Sequence, residues 1–215
     1  MKQRLAELRA RIERAAETAG RDPAAITLVA VSKTVAPERI RQAYDLGLRH
    51  FGESRLQEAV PKIEALPPDI VWHFVGKLQS NKARKAAQLF QVLHTLETES
   101  QLRELEKGEV QRPVHALVEI NIAQEPQKSG VNVENVDDFA QLVLHCQNVQ
   151  YRGLMTVGPP LDPEHMRPHF RRLRQLRDRI GGEWLSMGMS ADFEVAIQEG
   201  ASHIRVGSAL FGERS

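Results

Sequence analysis

The residues able to do chemistry sit where apolar runs end. ITLVAVSKTV, residues 26–35, has five apolar residues among its first six and then reaches Ser32 and Lys33. An amine at the end of a buried strand loses hydration, which favours its neutral form, and a neutral amine adds to aldehydes to give a Schiff base. The same lysine could instead snorkel to solvent or pair with Glu53. A second feature lies near the C-terminus. In LSMGMSADFEVAIQEG an apolar run leads to Gly188 and Ser190, and a helical pattern follows with Ser190 in the N-cap position. HIRVGSALFG repeats the design with Gly207 and Ser208. Helix starts offer free N–H groups and partial positive charge, and glycine lets backbone approach a ligand closely. One such turn is merely a cap; two side by side make a phosphate cradle. An amine facing a phosphate cradle describes a site for a phosphorylated aldehyde, and pyridoxal 5′-phosphate is the candidate. An aldolase that forms a Schiff base without cofactor is a further reading of the amine.

These residues need a scaffold that brings distant parts of the chain together. The opening stretch places Leu5, Leu8, Ile12, Ala15 and Ala19 on one helical face, ended by Gly20. Apolar runs and amphipathic stretches then alternate about eight times. The strand-like runs are ITLVAVSK, HFGE, IVWHFVG, VLHTLE, VHALVEIN, YRGLMTVG, EWLSMG and HIRV; the helix after VLHTLE extends through Gly108. Strict alternation implies a parallel sheet. Eight units within 215 residues predict one domain, residues 1–215, folded as a (β/α)8 TIM barrel with an extra N-terminal helix. An open doubly wound sheet is the alternative. In a barrel the polar strand ends share one mouth: Ser32, Lys33, Glu53, Ser54, Lys77, Glu97, Asn121, Thr156, Ser190 and Ser208. Strand ends also turn polar simply because the chain is leaving the core.

Composition excludes several classes. The net charge is +1, so no global field attracts nucleic acid or an anionic membrane. The basic stretches GKLQSNKARK and RPHFRRLRQLRDR lack interleaved aromatics and read as solvated helix faces. The N-terminus has no apolar leader core, and no run of about 18 apolar residues occurs, so no membrane span is expected. Cys146 is the single cysteine, compatible with a reducing, cytoplasmic setting. The eight histidines show no metal-binding spacing, and His73 reads as a hydrogen-bonded core residue.

The segments VAVSKT, HFGESRLQE, WHFVGKLQSNK, EINIAQEPQKSG, GLMTVG, LSMGMSADFEVAI and HIRVGSALFGER resemble those of the YggS/PROSC family of pyridoxal phosphate homeostasis proteins, across nearly the whole chain. The resemblance implies a fold-type III barrel like that of alanine racemase, with the cofactor held as a Schiff base on Lys33. Ser190, Gly207 and Ser208 would hold its phosphate, Arg205 would face the pyridine nitrogen, and Met155 and Met187 would lie near the ring. Ser54 stands where the family usually has Asn, which alters one contact beside the cofactor, and HTLETESQL departs from the usual pattern, which has an Asp-type acid near Glu97. Arginine does not give up its proton, so Arg205 would leave the ring nitrogen unprotonated and the ring a weak electron sink. The resemblance thus implies a monomeric carrier in vitamin B6 homeostasis, without strong catalysis, whose recipients would be pyridoxal-phosphate-dependent apoenzymes. A fold-type III racemase or decarboxylase is the alternative. Such a racemase needs a second acid–base group, and Tyr44 and Tyr151 fall in a helix and at a strand start, away from the mouth.

Overall fold

The computed structural model describes residues 1–107 and 112–212, so Gly108 and the Glu213–Arg214 end of the matching C-terminal segment lie outside the described residues. Helix α1 (Lys2–Thr18) comes first. Eight strands follow: β1 (Thr27–Val31), β2 (His50–Glu53), β3 (Val71–Phe74), β4 (Val92–Leu96), β5 (Val114–Glu119), β6 (Val149–Met155), β7 (Trp184–Ser186) and β8 (His203–Val206). The helices between and after them are α2 (Pro37–Asp45), α3 (Leu56–Ala65), α4 (Ala83–Leu89), α5 (Glu99–Glu106), α6 (Val136–His145), α7 (Pro163–Ile180), α8 (Phe193–Gln198) and α9 (Ser208–Phe211). The strands are parallel and close in sequence order. Thr27 to Ala30 of β1 pair with His203 to Val206 of β8, which excludes the open doubly wound sheet.

Alternation along each strand divides the side chains between two environments. Phe51, Leu93, Val118, Leu154, Leu185 and Ile204 join Ile40, Ala59, Ala86, Val143 and Leu173 of the helices in one large apolar core. Burying each large side chain there contributes about 1.5–3 kcal/mol. Helix α1 adds Leu5, Leu8, Ile12, Ala15 and Ala16 to this core, with Ala16 in place of the expected Ala19. It also braces α8: Arg11 grips Glu194 through two hydrogen bonds of 3.0 and 2.9 Å and lies over the Phe193 ring.

The barrel interior is more polar. Val92, Leu117 and Met155 form a small apolar cluster within it. Beside them run histidines. His50 Nδ1 lies 2.9 Å from His73 Nε2, His73 Nδ1 lies 2.8 Å from His94 Nε2, and the His203 ring packs near both His73 and His94. His73 is thus a hydrogen-bonded core residue, as expected. Burial pushes His73 and His94 well below the usual histidine range, and it pushes His203 to about 3.

At the upper end of β1 and β2 lies a buried ion pair. Lys62 of α3 donates to Glu53 Oε1 at 2.8 Å and to the Ser32 carbonyl at 2.8 Å, while Ser32 Oγ donates to the same Glu53 oxygen at 2.6 Å. Glu53 Oε2 is buried without a partner. The pair therefore fixes the peptide just before Lys33, and Glu53 is engaged with Lys62 rather than with Lys33.

Two outcomes follow from these buried charges and rings. Neutral buried histidines make the unfolded state bind more protons once pH falls below about 6.5, so stability declines as pH drops toward the folded-state values. Each fully buried histidine contributes a slope of about 1.4 kcal/mol per pH unit in that window. Urea midpoints should fall between pH 7.5 and 5.0, and His73→Gln should flatten the decline; a midpoint unchanged over that range would contradict it. Separately, Lys62→Met leaves Glu53 buried and unpaired and should cost about 3–5 kcal/mol, whereas Lys62→Met with Glu53→Leu should cost much less. Equal losses in urea unfolding would show that the charge pairing does not matter.

Candidate functional site

The strands deliver their C-terminal ends to one mouth, and there a cavity of about 710 Å³ opens between β1 and the turns after β7 and β8. Lys33 lines one side. It is half-buried, directly after the buried Ser32, in a turn closed by a 3.0 Å bond from Val35 N–H to the Ser32 carbonyl. Thr34 completes that turn at a φ of 65°, a costly left-handed conformation for a β-branched residue. Among the described residues Lys33 has no ion pair.

Ser190, Gly207 and Ser208 line the same cavity, Gly207 lying against the end of β1. The two turns touch: Ala209 N–H donates to Ser190 Oγ at 3.4 Å. Gly188 shapes the first of them. Its φ is 90°, and a Cβ there would stand 2.5 Å from the Ala196 methyl. Ser190 is not the N-cap expected for it. Asp192 takes that position without a side-chain bond to the helix, its carboxylate instead accepting the Met189 N–H at 2.7 Å. Both α8 and α9 are short, so an anion here would be held by local N–H and hydroxyl groups more than by a helix dipole.

Arg205 reaches the same cavity from β8. It is buried, and it donates to Ser186 Oγ at 2.6 Å and to the Thr156 carbonyl at 2.8 Å. Burial lowers it to about 10, against the pull of Glu119 and Asp192, so it stays charged at neutral pH. Glu119, at the end of β5, is raised to about 7 by burial and then by Glu97, against Arg205 and Lys77.

Lys33, Ser190, Arg205, Gly207 and Ser208 thus surround one cavity. The remaining expected residues lie elsewhere. Met155 is buried in the barrel interior beside Val92 and Leu117, and Met187 is buried in the main core. Ser54 lines a different cavity with Arg55, Lys77, Lys82 and Lys85. Asn121 closes its own loop through Glu125, Glu97 accepts the Gly130 N–H, and Thr156 Oγ1 donates to the Ile120 carbonyl at 2.8 Å. For these three the polar strand end serves the local backbone. Sequence reasoning missed Glu119, Ser186 and His94. The available signal was one histidine in each of β2, β3, β4, β5 and β8, a recurrence that isolated motifs do not register. Among the described residues there is no group of three or more side chains placed to hold a metal ion, and no helix long and apolar enough to cross a membrane.

The residues around this cavity suit a molecule with an aldehyde, a polar ring atom and an anionic tail: an amine, hydroxyl and backbone donors, and a guanidinium line the same space. The cavity also has the volume of a small-cofactor site. Comparison with known proteins agrees. The family model described as alanine racemase, N-terminal domain, matches residues 3–215. The pyridoxal phosphate homeostasis protein of Aquifex aeolicus is 43% identical, over 99% of this chain and 97% of its own length. The structure of PipY from Synechococcus elongatus with pyridoxal phosphate bound is 35% identical, with a TM-score of 0.83 over 98% of this chain and 99% of that one. Alanine racemase from Corynebacterium glutamicum shares the fold at 17% identity and a TM-score of 0.70, over 96% of this chain but only 61% of its own. This chain belongs to the alanine racemase N-terminal domain family, within its group of pyridoxal phosphate homeostasis proteins.

Proposed function

We propose that the protein binds pyridoxal 5′-phosphate as a Schiff base on Lys33 and acts as a monomeric cytoplasmic carrier that limits free cofactor and passes it to apoenzymes. The observation that carries this reading is the placement of Lys33, Arg205 and the Ser190 and Gly207–Ser208 turns around one cavity. Lys33 Nζ would supply the nucleophile toward the aldehyde carbon, with water as the leaving group. Ser190 Oγ, Ser208 and the backbone at Gly207 would hold the phosphate oxygens. Arg205 would donate to the ring nitrogen, and it cannot accept a proton from it. When bound, the cofactor supplies a reactive carbonyl carbon and a ring that can take up electrons, and an unprotonated nitrogen weakens the second property.

The surroundings favour a carrier. Tyr44 donates its hydroxyl to Asp69 at 2.7 Å and Tyr151 to the Gly181 carbonyl at 3.1 Å, so neither tyrosine serves as an acid–base group at the mouth. A racemase or decarboxylase reading keeps one observation in its favour: Glu119, with its acidity near neutral, lies close to Arg205.

Purified wild-type protein given the cofactor should turn yellow, and borohydride should fix the cofactor on Lys33. Lys33→Ala should lose the visible band; a mutant that retains it would place the attachment elsewhere. Ser190→Ala with Gly207→Val should weaken binding of the phosphorylated cofactor while leaving pyridoxal little affected. A Cβ added at Gly207 would crowd the Val31 carbonyl, standing 3.3 Å from its oxygen. Equal loss for both ligands would show that these turns do not hold the phosphate. Prolonged incubation with a panel of amino acids in deuterium oxide should give little α-deuterium exchange, and substantial turnover would favour the enzyme reading.

A further inference from the structure

Arg205 is a buried guanidinium that no carboxylate pairs with among the described residues. Its two acceptors, Ser186 Oγ and the Thr156 carbonyl, are neutral. A serine hydroxyl can direct a lone pair at an arginine only if its own proton has somewhere to go. The one other partner of Ser186 Oγ among the described residues is His94 Nδ1, at 2.9 Å. His94 then touches His73, and His73 touches His50.

The direction of every bond in this series follows from the arginine. Guanidinium has donors only, so Ser186 Oγ accepts from Arg205. If His94 Nδ1 also donated to that oxygen, the serine proton would be buried without an acceptor, at a cost of about 1–3 kcal/mol. Ser186 therefore donates to His94 Nδ1, and the His94 proton sits on Nε2. That proton goes to His73 Nδ1, which puts the His73 proton on Nε2 and directs it to His50 Nδ1. The series runs one way, from Arg205 in β8 to His50 at the opposite end of the barrel, where β2 begins. It requires neutral imidazoles, in keeping with their burial and with the charge of Arg205 nearby. The other charged groups around Arg205 are Glu119 and Asp192, and His203 packs against His73 and His94.

We infer that Ser186, His94 and His73 form a neutral, directional strut that positions Arg205 for the ring nitrogen of the cofactor and keeps it from turning to Glu119. They are positioning residues, and the inference rests on the carrier reading for what Arg205 faces. Removing the strut should free the guanidinium to pair with Glu119 and leave the ring nitrogen without its donor, while Lys33 and the phosphate turns are untouched.

Two measurements test this. The first is ¹⁵N spectroscopy of the imidazoles in the full chain without cofactor: His94 and His73 should be neutral Nε2–H tautomers at pH 7.5. Nδ1–H tautomers or charged rings would overturn the strut. The second compares affinity for pyridoxal 5′-phosphate with that for its 1-deaza analogue, which lacks the ring nitrogen. Wild type should prefer the nitrogen-bearing compound by about tenfold, the value of one hydrogen bond to a charged group. Ser186→Ala and His94→Leu should both lose that preference. His94→Gln should restore it, because its amide offers an acceptor to Ser186 and a donor to His73. Ser186→Ala, which removes a single oxygen, carries the test if His94→Leu does not fold. An undiminished preference in Ser186→Ala would overturn the inference. Wild-type protein that binds neither compound would overturn the carrier reading itself. Tight binding without discrimination overturns only the placement of Arg205.

Discussion

The site exists because β1 pairs with β8. Lys33 leaves the upper end of the first strand and Arg205 sits in the last, and without closure nothing in the local sequence would bring them together. The register of Val29 opposite Arg205 and Ala30 opposite Val206 sets the amine beside the turn at Gly207. Closure itself is driven by the apolar core between strands and helices, so the forces that fold the chain are largely separate from the groups that would bind a ligand. Helix α1 links the two: it packs in that core while Arg11 ties it to α8, behind the Ser190 turn.

The polar interior is the price of this design. A barrel filled by branched aliphatic residues would be simpler to stabilise, yet here β2, β3, β4 and β8 turn histidines inward and β8 adds an arginine. Neutral rings bonded to one another satisfy their own polar atoms, and His94 takes the proton of Ser186, whose oxygen accepts from the arginine without carrying a charge. A carboxylate in that place would pair with the guanidinium and compete with any ligand for it. The buried Glu53–Lys62 pair works on the other wall, where it holds the Ser32 carbonyl and hence the start of the strained turn at Thr34.

Much of this was readable from the sequence, and the failures have physical causes. Strand–helix alternation specified the barrel because its signal is periodic and repeated. Lys33, Ser190 and Gly207–Ser208 stood out because each breaks an apolar run at a turn. The Ser190 cap was misassigned because a turn at Met189, whose carbonyl accepts from Asp192 and Phe193 N–H, precedes the helix and moves its boundary to Asp192. Glu53 looked like a partner for Lys33, but α3 carries Lys62 back over the strand end and reaches the carboxylate first. Such a contact depends on helix orientation, which spacing does not encode. The histidine series escaped because each member, taken alone, is an ordinary polar residue in a short strand; strand register makes His50, His73 and His94 neighbours, and barrel closure brings His94 to Ser186.

The central claim is that a single cavity joins the amine of Lys33 to an anion-holding wall made by the turns after β7 and β8. A crystal structure of the protein grown with pyridoxal 5′-phosphate tests it most directly. Electron density should run unbroken from Nζ of Lys33 to the cofactor, with the phosphate between Ser190 and Ser208 and the ring nitrogen facing Arg205. Cofactor density attached to another lysine, or a phosphate lodged away from those two turns, would contradict the account.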